Sequence, residues 1–193
     1  MDDLIQRVPP AGLAGLAGGA VEAELRSTFA LYPTGVTVIG ARDGDRMRGM
    51  TANSFTSVSL VPPLALVCVR RNALMRQVIL RARAFAVSVL AADQEALARY
   101  FADPRRPSGP EQFDVIDWWS APLTGAPMLA GCLAWLDCCL GDVTEAGDHD
   151  VMFGRVAWAA TTDRRDPLLY FAKGYQRLPP HFDHPRHQNR GEQ

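Results

Sequence analysis

The sequence predicts a mainly β fold of the barrel or sandwich type. Short apolar or alternating segments recur along the chain and are separated by turn signals such as Asp43-Gly44. About seven strands of this kind, with a few helices between them, are expected for one all-β domain. No Gly-x-Gly-x-x-Gly motif follows a strand and no phosphate-binding loop is present, which argues against a Rossmann domain.

The predicted domain covers residues 21–178, between a leader at 1–20 and a tail at 179–193. The leader is rich in glycine and alanine, shows no helical or strand period, and is expected to be flexible. Its apolar part is too short to span a bilayer, and its acidic start does not fit a signal peptide. The tail is polar and is also expected to be disordered.

Composition narrows the possible partners and the compartment. The formal net charge of −1 gives no electrostatic reason to expect nucleic acid or an anionic membrane surface. The four cysteines lack C-x-x-C spacing, which favours buried free thiols in a reducing cytoplasm. His181, His184 and His187 in the tail are interpreted as solvated side chains, since a metal site needs a preorganised frame. We therefore expect a cytoplasmic protein without a metal.

The first half of the predicted domain begins with a helix. Its apolar stripe is Val21, Leu25 and Phe29, and it ends before Pro33 because the residue preceding a proline avoids the helical region. A hairpin around Asp43-Gly44 follows, and a buried barrel strand comes next. Asn72 is then the expected N-cap of a second helix. The strands predicted in this half are 35–40, 47–54, 64–69 and 85–90.

The second half alternates loops with strands. Residues 103–112 contain three prolines and a glycine and are predicted to form a loop. Trp118 and Trp119 are expected to pack over an open end of the barrel rather than stack on a ligand. Strands are predicted at 132–140, 149–160 and 168–171.

The stretch from Met50 to Pro63 carries an unusual number of polar side chains. If it is extended, Thr51, Asn53, Ser57 and Ser59 share one face, because side chains alternate along a strand. Hydroxyl and amide groups suit a ligand that has a phosphate, a ribityl chain or a ring edge. A solvent-facing strand of an antiparallel sheet would show the same pattern, so the residues alone leave both interpretations open. Pro62 and Pro63 are expected to stop the strand.

Several motifs in series resemble the short-chain flavin reductases. These are small NAD(P)H:flavin oxidoreductases with an FMN-binding split β-barrel, and many are the reductase component of a two-component flavin-dependent monooxygenase. The resemblance extends from about residue 25 to residue 178. The motifs are Pro33-Thr-Gly-Val36, Gly49-Met-Thr-Ala-Asn-Ser54, Ser57-Val-Ser-Leu60 with Pro62-Pro63, Gly147-Asp-His149 with Gly154, and Leu168-Leu-Tyr170 with Gly174-Tyr175.

The resemblance implies a function and an assembly. Hydride would pass from NADH or NADPH to FMN or FAD, and the reduced flavin would be supplied to a partner monooxygenase. The protein would be a homodimer with the flavin near its interface. The alternatives are a reductase of another acceptor that retains its flavin, and a flavin-binding module without nicotinamide turnover.

The resemblance also implies roles for particular residues. Thr51, Asn53 and Ser54 would bond the isoalloxazine edge and the ribityl hydroxyls, and Ser57 and Ser59 would hold the chain or the phosphate. His149 would be the catalytic residue and would meet the nicotinamide at the mouth of the barrel. The predicted cofactor-binding residues are Pro33, Thr34, Gly35, Val36, Thr51, Ala52, Asn53, Ser54, Ser57, Ser59, Arg70, Phe85 and Tyr175.

Four features of the sequence leave questions open. Val61 stands where the family often has an acidic residue, and Arg70-Arg-Asn-Ala73 stands where it often has small hydroxyl residues. Arg70 offers a charge-assisted phosphate contact instead, which leaves the choice between FMN and FAD open. Gly35 also fits a turn that needs an unusual backbone conformation. The Gly147-Asp-His149 motif also fits a hairpin turn in which His149 is merely exposed.

Overall fold

The computed structural model describes residues 18–179. Most of the predicted leader, and the predicted tail with its three histidines from position 180 onward, lie outside the described residues. Gly18, Gly19 and Ala20 already belong to a helix, so this element begins three residues before the predicted domain boundary. No helix in residues 18–179 has both the length and the apolar character needed to cross a membrane.

The described chain is mainly β-structure with three α-helices and two short 3₁₀ turns, at Ala92–Gln94 and Pro110–Phe113. The helices are α1 (Gly18–Phe29), α2 (Leu74–Ala82) and α3 (Glu95–Ala102). The strands are β1 (Thr34–Gly35), β2 (Thr37–Asp43), β3 (Arg46–Ala52), β4 (Thr56–Leu60), β5 (Pro63–Arg70), β6 (Ala84–Val89), β7 (Trp118–Ser120), β8 (Pro127–Leu129), β9 (Ala134–Ala146), β10 (His149–Thr161), β11 (Leu168–Phe171) and β12 (Gly174–Arg177).

A seven-stranded sheet organises the described residues, in the order β3-β2-β6-β9-β10-β5-β4. Its neighbouring strands pair antiparallel, and the β9–β10 pairing contains two irregularities. A three-stranded sheet, β1-β11-β12, joins it through backbone bonds from Val36 N to Leu168 O and from Leu168 N to Leu90 O. The predicted mainly β fold is confirmed.

Close packing fills the sheet on both of its faces. One apolar cluster contains Phe85, Ile39 and Val67, and the other contains Phe101 and Phe113. Phe85 is fully buried against β10, so the predicted contact between Phe85 and a cofactor is wrong. Its ring has the apolar character of a ligand wall, but it packs over Gly154 of β10 and belongs to the core.

The polar stretch that the sequence singled out is not one continuous strand. β3 ends at Ala52 and β4 begins at Thr56, so the chain leaves the sheet between them. Ser54 Oγ accepts from Cys68 N at 3.1 Å and donates to Cys68 O at 3.2 Å, which ties this bend to β5. Pro63 is the first residue of β5, a strand position that tolerates proline. The predicted single polar row is therefore wrong.

Smaller expectations had mixed outcomes. Ala73, and not Asn72, is the N-cap of α2, and it makes no side-chain capping bond. Trp119 packs against Trp135 with 4.9 Å between the ring centroids. The four cysteines are free, but Cys139 is exposed, so burial was predicted wrongly for that thiol.

Candidate active site

A cleft lies between helix α1 and one end of the β-barrel, the rim, where the bend after β3, the end of β5 and the turns β9–β10 and β11–β12 meet. Its volume is 780 Å³, within the range usual for small-molecule sites. α1 forms one wall through the stripe of Val21, Leu25 and Phe29. The barrel forms the other wall. The barrel residues that line this central cleft are Asn53, Arg70, Asp148, His149, Tyr170 and Lys173.

Two smaller cavities continue the central cleft along the rim. A pocket of 260 Å³ shares Asn53 and Tyr170 with the cleft. A cavity of 490 Å³ shares Arg70 and Asp148 with it on the other side. Because each neighbour has two lining residues in common with the cleft, the three cavities form one continuous binding surface. The smaller pocket is lined by Val36, Thr51, Asn53, Ala102, Tyr170 and Tyr175.

The turn between β11 and β12 holds α1 over the cleft. Ala172 N donates to Ala30 O at 2.7 Å, and Lys173 Nζ donates to Ser27 Oγ at 3.0 Å. Ala172 and Lys173 have φ angles of 50° and 64°, the left-handed conformation that a two-residue hairpin turn requires. α1 itself contributes no fully buried residue. The position of this wall therefore depends on a few contacts at its C-terminal end.

His149 stands at the rim for a local reason. The two-residue turn Gly147-Asp148 joins β9 to β10, and Gly147 has a φ of 63°, which favours glycine. His149 is the first residue of β10 and pairs with Arg70, the last residue of β5. Its side chain is 34% exposed, and its Nδ1 lies 2.7 Å from Asp148 Oδ1. The hydrogen bond to His149 lowers the pKa of Asp148 below its ordinary value.

The three arginines near His149, which are Arg70, Arg71 and Arg76, differ in their ion-pair partners. Arg71 Nη2 contacts Glu145 Oε1 at 2.8 Å, and Arg76 Nε donates to Asp150 Oδ2 at 2.6 Å. Within residues 18–179, Arg70 has no such ion-pair contact. Arg70 is thus the cation of this group that remains available to an anionic ligand.

Asp150 is a buried carboxylate that the sequence reasoning missed. Its side chain is fully enclosed, and none of the residues that the structure describes is a hydrogen-bond partner of Oδ1, although Arg71 Nε lies 3.7 Å away. This separation permits attraction between the charges but is too long for a hydrogen bond. Asp150 therefore anchors Arg76 directly and Arg71 loosely beside the cleft. Alternation along β10 turns its side chain inward from the rim, opposite to that of His149.

The segment from Pro33 to Val36 lies close to the cleft. Thr34 pairs with Tyr170, and its buried Oγ1 has no hydrogen-bond partner among the described residues. A side chain added at Gly35 would meet no atom within 4 Å, so its backbone is open to approach. Gly35 does not have a left-handed φ, so the unusual conformation expected there is wrong. Pro33 is exposed beside them.

Two tyrosines and an arginine lie at the end of the binding surface formed by the pocket of 260 Å³. The Tyr170 and Tyr175 rings meet edge to face with 5.6 Å between centroids. The guanidinium of Arg99 lies 5.0 Å from the centroid of the Tyr175 ring, a cation–π contact. Burial raises the pKa of Tyr175 above its ordinary value. These groups provide an aromatic wall with a positive charge behind it.

The structure brings together only part of the predicted set. Thr51 reaches the pocket, but its Oγ1 already donates to Ala98 O at 2.7 Å. Ser59 pairs with Leu64, six residues from Arg70 on β5, a separation of roughly 20 Å along the strand. Val36, Thr51, Asn53, Arg70, His149 and Tyr175 line the joined cavities. The predicted residues that line none of these three cavities are Pro33, Thr34, Gly35, Ala52, Ser54, Ser57, Ser59 and Phe85. The roles of Ser57 and Ser59 stay predictions.

The cleft residues fit a flavin. Its apolar walls suit a planar ring, and the Asn53 amide supplies a donor and an acceptor. The unpartnered Thr34 hydroxyl leaves a further hydrogen bond to be made nearby. Arg70 supplies a cation for a phosphate. Lys173, Tyr170 and the α1 stripe also belong to this surface. The sequence showed each of them, but only the docking of α1 reveals that they share a cleft.

Comparison with known proteins agrees with this geometry. A family model described as flavin reductase like domain matches residues 29–179. The NADH-dependent FAD reductase of Streptomyces globisporus is 46% identical over 163 residues, which are 84% of this chain and 89% of the relative. The reductase component of 4-hydroxyphenylacetate 3-monooxygenase from Thermus thermophilus is 36% identical, covering 79% of this chain and 94% of the relative.

Solved structures show the same similarity. The flavin reductase component of a bacterial two-component tryptophan halogenase superposes with a TM-score of 0.78 at 47% identity, covering 82% of this chain and 98% of that chain. The NADH:FAD oxidoreductase of Streptomyces globisporus C-1027, solved with NAD and FAD fragments, gives 0.80 at 42% identity and covers 88% and 100%.

The fold, the cleft and these relatives together define a small split-barrel oxidoreductase that uses a flavin and a nicotinamide nucleotide. The chain belongs to the flavin reductase-like family. The predicted family and the predicted function as an NAD(P)H:flavin oxidoreductase are confirmed at this level.

Proposed function

We propose that this protein is the cytoplasmic reductase component of a two-component flavin-dependent oxygenase, with NADH and FAD as its preferred substrates. The continuous rim surface carries the proposal, because it offers flavin-type contacts at Asn53 and an accessible His149 in one cleft. The relative at 46% identity is an NADH-dependent FAD reductase, which supports this pair of substrates. The reductase component at 36% identity supports a separate oxygenase partner.

The protein's task in this reaction is to orient two rings and to exclude water. A bound flavin supplies the hydride acceptor and the reduced nicotinamide supplies the hydride. Asn53 holds the ring edge or the ribityl chain, and the open backbone at Gly35 allows close approach. The stripe of α1 shields the cleft from solvent, which favours a single stacked arrangement.

Arg70 and His149 serve the more exposed part of the cleft. Arg70 binds a phosphate or pyrophosphate group, since Arg71 and Arg76 are already engaged by carboxylates. His149 contacts the nicotinamide, and its hydrogen bond with Asp148 fixes the orientation of the imidazole ring. The contact orders the second substrate and requires no proton transfer. The cavity beyond Arg70, with its 490 Å³, provides room for the adenylate half of a dinucleotide.

We also propose that the protein forms a homodimer with twofold symmetry. β4 is an edge strand of the large sheet, and edge strands need cover. Leu60 and Val61 at its end are 89% and 91% exposed, and Phe29 at the end of α1 is 69% exposed.

Light scattering is expected to give twice the chain mass of 21.1 kDa. Leu60→Arg should produce monomers, while Leu123→Arg, at another exposed leucine, should not. An active monomer in the unaltered protein would contradict the dimer.

One assay tests the proposed activity. NADH and NADPH oxidation is measured with FAD, FMN and riboflavin, each before and after dialysis of the protein. We expect the highest kcat/KM with NADH and FAD, and turnover that needs added flavin. Protein that keeps its flavin through dialysis and reduces another acceptor would support the retained-flavin alternative. Flavin binding without nicotinamide oxidation would overturn the enzyme assignment.

A further inference from the structure

A separate cavity of 340 Å³ lies at the turn end of the β2–β3 hairpin. It is enclosed by β3, by α2 and by the loop that precedes the second 3₁₀ turn. None of its lining residues lines the central cleft or the two cavities joined to it. Its lining residues are Asp45, Arg46, Met47, Arg48, Leu74, Gln77, Val78, Arg81, Ser108 and Gly109.

The charge around this cavity is unbalanced. Arg46, Arg48 and Arg81 supply three guanidinium groups, whereas Asp45 is the one carboxylate among the lining residues. None of these three arginines has a salt bridge with a residue that the structure describes. The contact of Arg48 is a 3.5 Å bond to the carbonyl of Pro107. The cavity is therefore cationic.

A buried glutamine holds the loop wall of the cavity in place. Gln112 is fully buried; its Nε2 donates to Met47 O at 2.8 Å and to Gly109 O at 2.7 Å. Gly49 N donates to Gln112 Oε1 at 2.7 Å. These three bonds fix the loop against β3, so the cavity is formed before any ligand arrives. Preformed sites lose less conformational entropy on binding.

A further guanidinium group, that of Arg106, lies behind Arg48. Arg106 donates to the carbonyls of Asp103 and Gly49, and its buried Nε has no hydrogen-bond partner within residues 18–179. Burial, followed by the charge of Arg48, lowers the pKa of Arg106 to about 10. Burial also lowers the pKa of Arg48. Two partly buried cations that repel each other would be stabilised by an anion in the adjoining cavity.

The rest of the lining is apolar. Leu74 is half exposed, while Met47 and Val78 are buried beside it. An inorganic ion would contact the guanidinium groups but would leave this surface in water. A ligand with both an anionic group and an apolar body would cover both parts.

We propose that this cavity binds a small organic anion, whose carboxylate or phosphate group lies among Arg46, Arg48 and Arg81 and whose apolar body covers Leu74 and Val78. Arg46 precedes Thr51 by five residues on β3, so the two sites lie roughly 17 Å apart along the strand. The site is therefore distinct from the flavin cleft and does not depend on the proposed function.

Titration calorimetry with phenyl phosphate tests the proposal. Arg81→Gln and Arg48→Gln should each weaken binding about tenfold or more, which is about 1.4 kcal/mol. Arg155→Gln, at an exposed arginine that lines neither this cavity nor the central cleft, should leave it unchanged. Arg70→Gln tests whether phenyl phosphate binds in the central cleft instead. Benzoate should also bind, inorganic phosphate should bind more weakly, and neutral benzyl alcohol should not bind.

Thermal unfolding of each variant checks that a lost signal is not lost folding. Arg81 is exposed on α2, so Arg81→Gln keeps the test decisive if Arg48→Gln does not fold. The proposal is overturned if wild-type protein binds neither organic anion, if benzyl alcohol binds equally well, or if only Arg70→Gln weakens binding.

Discussion

The start and the interior of strand β10 show how differently residues on one strand are constrained. In its interior, Gly154 lies under the Phe85 ring, where an added Cβ would come within 2.5 Å of Phe85 Cζ. At its start, His149 is partly exposed and touches the central cleft. Close packing determines which residue can stand in the interior of β10. At the rim, no core contact requires a particular side chain. Substitution of Gly154 should therefore lower stability, whereas substitution of His149, five residues earlier in the sequence, should affect function.

The largest effect is expected from Gly154→Ala. Its new methyl group would also lie 2.9 Å from Cys138 Cβ, and overpacking of this kind typically costs about 1–3 kcal/mol and occasionally more. We expect a loss at the upper end of that range, measured by urea denaturation. Gly141→Ala on β9 is the control, because its added Cβ would meet its nearest atom, Phe153 O, at an ordinary 3.4 Å. Equal stability of the two variants would contradict the packing argument.

Asn53→Ala should give the next largest effect, on flavin affinity alone. Asn53 lies in the bend after β3 and lines both the cleft and its side pocket. Loss of its amide should weaken flavin binding by about 1–3 kcal/mol, the cost of leaving buried partners unpaired. Urea denaturation should show little change. An unaltered flavin titration would remove Asn53 from the site.

His149→Ala should lower nicotinamide-dependent turnover about tenfold, a loss of roughly 1.4 kcal/mol of productive orientation. Flavin affinity should stay nearly intact. His149→Gln, which retains a hydrogen-bonding group, should recover part of the rate. Steady-state kinetics on NADH beside a flavin titration would measure both. Parallel losses in rate and in flavin affinity would make His149 a structural residue.

The adjacent arginines provide a sharper comparison within the rim. Arg70→Gln should raise the KM for the nucleotide whose phosphate it binds by about fivefold, or roughly 1 kcal/mol, because the side chain is exposed. Arg71→Gln removes the same charge from a residue that already pairs with Glu145. Its KM should change less. Equal effects would indicate a general field of positive charge rather than one contact.

The smallest effect concerns pH. The folded-state pKa of Asp148 lies below its unfolded value because of the hydrogen bond with His149. Its contribution to stability is therefore present above the unfolded pKa and is lost as pH falls through the folded pKa. Asp148→Asn should remove this part of the acid dependence. Denaturation midpoints from pH 6 down to about pH 2 would show it as a small difference. Identical profiles would mean that the pair contributes nothing measurable.

Local patterns predicted most of the strands, but not where the polar stretch turns. Periodicity located β2, β5, β6 and β10 because each has a regular apolar pattern. The bend at Asn53 depends on the bonds between Ser54 and Cys68, a tertiary contact that no local pattern contains. The family resemblance, and not a local pattern, assigned Phe85 to the site, and an apolar ring is equally suited to a ligand wall and to a core.

The position of His149 could be predicted because its motif carries its own geometry. Gly147-Asp-His149 forms a turn that places His149 at the rim without help from distant residues. Lys173 and Tyr170 became part of the site through the docking of α1, which depends on the β11–β12 turn. No local pattern could predict the role of Asp150, because its ion-pair partner Arg76 lies 74 residues away in the sequence.

The structure of the protein crystallised with FAD would test the central claim most directly. We expect the isoalloxazine ring in the central cleft, with Asn53 bonded to the ring edge or the ribityl chain. A phosphate group should lie within 3.5 Å of Arg70, with His149 on the open side of the ring. FAD bound in the cavity of Arg46, Arg48 and Arg81, or its absence from the cleft at saturating concentration, would contradict the account.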